Sequence, residues 1–94
     1  MYLLEYTRSA VKDFKRITPP DKKFIVDSLL LFAEHFGSEY ERELMRTGKI
    51  KKLKGTIEPI YRLRLRSYRV IYKKEEDRLV ILVLSVTTRE GAYR

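Results

Sequence analysis

YRLRLRSYRVIY, residues 61–72, is the stretch of sequence that decides the fold of this chain. Apolar or aromatic side chains stand at alternate positions: Leu63, Leu65, Val70 and Tyr72. This period of two is typical of β-strands that bury one face. The positions between them hold mainly arginine, whereas a merely solvated strand usually mixes lysine, glutamate, threonine and serine. The pattern therefore predicts two strands with a basic exposed face.

A two-residue turn at Arg66 and Ser67 would join these strands in a hairpin. The register of such a hairpin places Leu63 opposite Val70 and Arg64 opposite Arg69. Like charges directly across a sheet are destabilising, so the two guanidinium groups need a compensating anion. A phosphate between them would supply it. The hairpin therefore predicts a phosphate-binding surface.

The distribution of charge supports a polyanionic ligand. The chain has a formal net charge of +8. Residues 46–74 carry 11 lysine and arginine side chains against one glutamate, while the segments before and after them each have a net charge of −1. A generally basic, soluble surface would have spread the charge along the chain. Concentration in one segment is the electrostatic footprint of a polyanion-binding protein.

Length and composition limit the other possibilities. Ninety-four residues are enough for one domain, which we expect to span residues 1–94. The chain has no cysteine and a single histidine, His35, so we expect no disulfide, no metal site and no cofactor. The N-terminus lacks a signal-peptide pattern, and no stretch approaches the roughly 20 apolar residues of a membrane span. We therefore expect a cytoplasmic protein without membrane association.

The N-terminal half predicts one strand and two helices. Residues 2–6 are short and apolar, as in a strand, and Thr7 or Ser9 can cap a short helix after them. Thr18 and Pro19 then give a helix-start signal. The second helix carries an aromatic stripe that indicates core packing, and Gly37 is expected to close it in a left-handed C-cap.

The C-terminal half predicts most of the sheet. Residues 39–47 could add a helical turn, and residues 55–59 form a connecting loop. The expected strands are Ile60–Leu65, Tyr68–Lys74 and Leu79–Val86. Their tyrosines are expected at the edge of the core with hydroxyl groups in water. Together these elements predict a small α+β domain in which two N-terminal helices pack on an antiparallel sheet of about four strands.

The order of these elements and motifs resembles the RelE/ParE superfamily of toxins from type II toxin–antitoxin modules. The resemblance covers essentially the whole chain. It is carried by the following segments: Lys52-Leu53-Lys54-Gly55, Tyr61-Arg62-Leu63-Arg64-Leu65, Tyr68-Arg69-Val70-Ile71-Tyr72, and Arg89 with Tyr93. It implies a curved sheet and places the chain closest to the RelE branch.

The RelE-like resemblance implies a metal-independent, ribosome-dependent endoribonuclease that cleaves mRNA during translation. It assigns catalytic roles to five residues: Arg62, Arg64, Arg69, Arg89 and Tyr93. The arginines would face the scissile phosphate and stabilise its charge, and the tyrosine would stack on or polarise the attacking nucleotide. The remaining basic side chains of this region are expected to bind RNA: Lys51, Lys52, Lys54 and Arg66. The expected partners are mRNA, the ribosome and an antitoxin that covers the basic face.

One departure from the RelE pattern affects the mechanism. RelE proteins often carry lysines where this chain has Arg62 and Arg64, and arginine effectively cannot lose its proton to act as a general base. Lys54, Tyr93 or a ribosomal RNA group would have to serve instead. Two alternatives remain: a ParE-like, non-enzymatic inhibitor of DNA gyrase, and a catalytically inactive RNA-binding relative.

Overall fold

The arginine-rich stretch forms the expected hairpin in the computed structural model, which describes residues 1–88. Strand β3 (Tyr61–Leu65) and strand β4 (Tyr68–Glu75) pair antiparallel, with Leu63 opposite Val70 and Arg64 opposite Arg69. The predicted register is therefore confirmed. Arg66 occupies the first turn position in the left-handed region, with φ of 55°.

The described sheet has five strands in the order β1-β5-β4-β3-β2. The other three are β1 (Leu3–Tyr6), β2 (Ile50–Lys52) and β5 (Val80–Thr88). The prediction of about four strands missed β2, because three residues are too few to show an alternating pattern. β1 pairs parallel with β5, and the other pairs are antiparallel. The parallel direction of β1 follows from its pairing with β5. The local sequence of β1 does not specify that partner.

Three helices cover one face of this sheet. Helix α1 (Arg8–Phe14) begins at Thr7, whose Oγ1 accepts a hydrogen bond from the Ala10 N–H at 3.1 Å. Helix α2 spans Pro19–His35 and helix α3 spans Ser38–Arg46. The predicted α+β class is confirmed, and the suspected extra turn is a helix of nine residues.

Gly37 does not form the expected left-handed C-cap. Its φ is −176°, which is extended backbone, and it serves as the N-cap of α3. Phe36 ends α2 in an extended conformation and buries its ring, so the chain turns directly from one helix into the next. A glycine after a helical pattern indicates that the helix ends there. The backbone conformation of Gly37, however, follows from its position at the start of α3.

The core lies between the helices and one face of the sheet. It contains the inward side chains of β3 and β4, such as Leu63 and Val70, packed against Leu29 and Phe32 of α2. Tyr72 is fully buried, and its hydroxyl donates a hydrogen bond to Glu41 at 2.9 Å. The expectation of a water-exposed hydroxyl is therefore wrong at Tyr72. None of the helices in residues 1–88 has the length and apolar character needed to cross a membrane.

Candidate phosphate-binding site

The sheet face that carries no helix holds the arginines of the hairpin. Strand pairing aligns them in two neighbouring rows. One row runs from Arg64 through Arg69 to Thr87. The other begins at Lys51 and continues through Arg62 to Ile71 and Ser85. Side chains directly opposite in such rows have Cβ atoms roughly 5 Å apart, and diagonal neighbours roughly 7–8 Å. Arg62, Arg64 and Arg69 thus form a small arginine patch, with Lys51 beside it.

Arg69 is the most unusual member of this patch. Only 4% of its surface is exposed, and its side chain has no hydrogen bond or ion pair within residues 1–88. Its cross-strand partner on β3 is the like-charged Arg64, which is exposed and has no carboxylate partner within the same residues. Burying an unpaired charge is costly, and arginine effectively cannot neutralise itself by losing a proton. An anion bound between Arg64 and Arg69 would offset this cost.

Arg62 differs from Arg69 in having a structural contact. Its Nη2 donates a hydrogen bond to the Gly48 carbonyl at 3.0 Å. Gly48 lies just after α3, with φ of 83°, so this contact holds the end of the helix against β3. The side chain is 9% exposed. Arg62 is therefore fixed in place at the centre of its row, and positive charge is preorganised there.

These side chains line a cavity of about 510 Å³ on the open face. Its wall contains Lys51, Arg62, Arg64 and Arg69, and its apolar part includes Ile71. Basic groups around an apolar floor can bind a phosphate and leave room for the attached sugar or base. The structure thus brings together three of the five predicted catalytic residues. The other two, Arg89 and Tyr93, lie outside the described residues.

The remaining predicted RNA-binding residues lie elsewhere. Lys52 and Lys54 line a separate depression formed by the loop before β3, together with the fully exposed Ile57. The guanidinium of Arg66 stacks over the ring of Phe24 on α2, 3.6 Å from its centroid. A cation over an aromatic face in this way is attracted by the ring's quadrupole. The structure therefore separates these three side chains from the cavity.

Sequence reasoning missed a second group of charged residues, on the helix-covered face. Glu41 of α3 is 6% exposed and accepts hydrogen bonds from the Tyr72 hydroxyl at 2.9 Å and from Lys74 Nζ at 2.8 Å. Tyr61 stacks on Tyr72, and the Lys74 ammonium lies 4.8 Å from the Tyr61 ring centroid. We call Glu41, Tyr61, Tyr72 and Lys74 the Glu41 cluster. It ties α3 to the hairpin.

Two pKa shifts in the Glu41 cluster reflect burial and charge. Burial raises the pKa of Tyr72 far above its usual value of 10.0, and the neighbouring Glu41 carboxylate adds to this. Burial alone would lower the pKa of Lys74, but the hydrogen bond and charge of Glu41 outweigh it and raise that pKa. The only sequence signal was the position of Glu41 within a polar helix, which does not distinguish it from exposed neighbours.

Comparisons with solved structures identify the same fold in RelE toxins. The chain is 27% identical to RelE in the archaeal RelE–RelB complex from Pyrococcus horikoshii, with a TM-score of 0.66 and 94% of each chain covered. It is 23% identical to the toxin of the intact Escherichia coli RelBE complex, with a TM-score of 0.67 and coverage of 94% and 96%. It is 23% identical to a chain of the RelBE2 complex from Mycobacterium tuberculosis, with a TM-score of 0.63 and coverage of 94% and 98%.

A comparison with curated protein sequences gave no match. A family model does match, and it describes the ParE toxin of the type II toxin–antitoxin system parDE. The match runs over residues 4–93, which is nearly the whole chain and includes the arginine-rich hairpin. With the RelE-like fold, this match confirms the resemblance to the RelE/ParE superfamily. The chain belongs to the ParE toxin family of type II toxin–antitoxin systems.

Proposed function

We propose that this toxin is an endoribonuclease that cleaves mRNA on the translating ribosome. The observation that carries the proposal is Arg69, a buried guanidinium that faces Arg64 and has no counter-ion within residues 1–88. A protein gains nothing in stability from such an arrangement. A phosphodiester in the cavity would neutralise it. The RelE-like fold of the chain supports RNA as the source of that phosphate.

The cavity suits the charge that develops during RNA cleavage. Attack of a 2′-hydroxyl on the adjacent phosphorus gives a pentacoordinate phosphorane that carries more negative charge than the phosphodiester. In this proposal Arg64 and Arg69, which are cross-strand partners, donate hydrogen bonds to its oxygens, and Arg62 is held beside them by its hydrogen bond to Gly48. Donors fixed before the reaction need no reorganisation, which makes this type of stabilisation the largest single catalytic contribution in many enzymes.

The proposed partners follow from the charge and the relatives. RelE proteins of similar fold have been solved in complexes with RelB antitoxins. We propose that a cognate antitoxin with an acidic segment covers the open sheet face of this toxin and blocks access to the cavity. Complementary charge would speed that association and make it sensitive to salt. The ribosome would present the message and could contribute groups to the proton transfers.

Primer extension on a translated message tests the nuclease proposal. Induction of the toxin is expected to produce cuts inside ribosome-occupied codons, while the same message with its start codon removed stays intact. Arg69→Ala is expected to slow cleavage on programmed ribosomes by about 100- to 1000-fold, because it removes one preorganised donor. Circular dichroism checks that the variant is folded. An Arg69→Ala variant as toxic as the wild type would rule out the site.

A second candidate function is inhibition of DNA gyrase without catalysis. The match to the ParE family model favours it, because the ParE branch of the superfamily is the one associated with gyrase. In that case the arginine patch would contact the topoisomerase or its DNA. Growth arrest with intact mRNA and broken DNA, in the same induction experiment, would select this function over RNA cleavage.

A further inference from the structure

Among the described residues that line the open-face cavity, one side chain can readily transfer a proton. The described lining of this cavity includes three arginines, apolar residues, Gly48 and Lys51. An arginine guanidinium effectively keeps its proton, whereas a lysine ammonium can give its proton up. Cleavage of RNA requires a proton for the departing 5′-oxygen. Within the described residues, the composition of the cavity therefore singles out Lys51.

Strand pairing places Lys51 directly beside the arginine patch. Lys51 of β2 is the cross-strand partner of Arg62 of β3, so the two Cβ atoms are roughly 5 Å apart. Arg62 is held by the Gly48 carbonyl, while Lys51 is exposed and has no hydrogen bond or ion pair within residues 1–88. A four-carbon side chain at this position can reach over Arg62 to a phosphate bound by Arg64 and Arg69.

The neighbouring lysines do not share this position. Lys52 and Lys54 line the depression on the loop before β3. Lys49 lines a groove between α2, α3 and β3 on the helix-covered side, together with Phe24 and Leu65. Lysines are thus frequent in this segment, but only one of them lines the cavity within the described part of the chain.

We propose that Lys51 is the general acid of the cleavage reaction; this inference rests on the proposed nuclease function. The 2′-oxygen forms a bond to phosphorus, and a ribosomal RNA group acts as general base, takes the 2′-hydroxyl proton and passes it to water. The bond from phosphorus to the 5′-oxygen breaks, its electron pair stays on that oxygen, and Lys51 Nζ supplies the proton. The products are a 2′,3′-cyclic phosphate and a 5′-hydroxyl end. Water then returns a proton to the neutral amine of Lys51.

A message with sulfur in place of the scissile 5′-oxygen tests this role. A thiolate leaves without being protonated, since thiols are far stronger acids than alcohols. On programmed ribosomes under single-turnover conditions, Lys51→Ala is expected to slow cleavage of the normal message by about 100-fold, the usual scale of general acid catalysis. With the 5′-thio message, the wild type and the variant should cleave at nearly the same rate. A Lys51 side chain that only bound or positioned RNA would give equal losses on both messages, and that result would overturn the inference.

Two variants serve as controls. Lys51→Arg keeps the charge but not the acidity, so it should remain as slow as Lys51→Ala on the normal message and regain speed on the 5′-thio message. Full activity of Lys51→Arg on the normal message would show that charge alone matters and would contradict the inference. Lys49→Ala removes a nearby lysine from the helix-covered side and should match the wild type on both messages. If the wild type cleaves neither message, the proposed nuclease function fails, and this inference fails with it.

Discussion

The two faces of β4 differ in whether the charge buried against them is paired. On the helix-covered face, the buried Glu41 carboxylate accepts hydrogen bonds from Tyr72 and Lys74, so its charge is paired. On the open face, Arg69 is as deeply buried as Glu41 but stands next to another arginine and has no partner within residues 1–88. One strand thus carries a neutralised cluster and an uncompensated cation only a few residues apart.

This difference in charge pairing indicates that the two faces of β4 have different roles. A paired charge in the interior fixes how α3 sits on the sheet, because an unpaired one would be expensive. An uncompensated charge on the open face lowers the stability of the free protein and becomes favourable only when an anion binds. We therefore expect the Glu41 cluster to govern folding and the arginine patch to govern activity. Substitutions on one face at a time should separate these two contributions.

The largest effect on stability is expected from Glu41→Ala. The substitution leaves the Tyr72 hydroxyl without its acceptor and Lys74 without its counter-ion, both largely buried. We expect a loss of about 3 kcal/mol in the free energy of unfolding, measured by urea denaturation. Glu39→Ala, on the exposed part of the same helix, should change stability by less than about 0.5 kcal/mol. Similar losses in both variants would show that the cluster contributes no specific stability.

Anion binding should have a smaller effect on folding stability, and this effect should depend on the arginines of the open face. Inorganic phosphate at ten times its dissociation constant is expected to stabilise the wild type by about 1.4 kcal/mol, because it binds only the folded state. Ionic strength is held constant with chloride. Arg69→Met should lose this gain, and without phosphate it should be at least as stable as the wild type, since a like-charge pair is removed. Arg42→Met, an exposed change on α3, should keep the full phosphate response. An unchanged response in Arg69→Met would mean that the open face is not the anion site.

The smallest expected effect is a loss of folding stability at alkaline pH, and it arises from the Glu41 cluster. The pKa of Tyr72 is raised in the folded state, so its contribution to stability is complete below pH 10.0, the usual tyrosine value, and declines as pH rises above it. Between pH 8 and pH 10.5 the wild type should lose about 0.8 kcal/mol more than Tyr72→Phe, which has no hydroxyl to ionise. The raised pKa of Lys74 acts in the same direction in both proteins. Parallel pH profiles for the two proteins would contradict a buried, neutral Tyr72.

Much of the fold was predictable from local patterns. Alternation over residues 61–72 determined the hairpin and its register. Of the two residues predicted as possible caps of α1, Thr7 is the N-cap and Ser9 lies inside the helix. The misses have physical causes. β2 was too short to show a period, and the parallel pairing of β1 depends on a contact between chain ends far apart in sequence. Gly37 was expected to adopt the left-handed conformation that is common for glycine after a helix. Because α3 begins immediately after it, its backbone is extended instead.

The candidate site was predicted less completely than the hairpin that supports it. Alternation showed that Arg62, Arg64 and Arg69 share a face, because side-chain direction in a strand follows from sequence position alone. Their surroundings come from elsewhere: β2 adds Lys51 beside Arg62, and the end of α3 holds Arg62 through Gly48. The sequence determined by itself that a row of like charges would form. Only the tertiary structure decided which charges are buried, which are neutralised and which face the cavity, because burial and pairing depend on elements that meet only after the chain has folded.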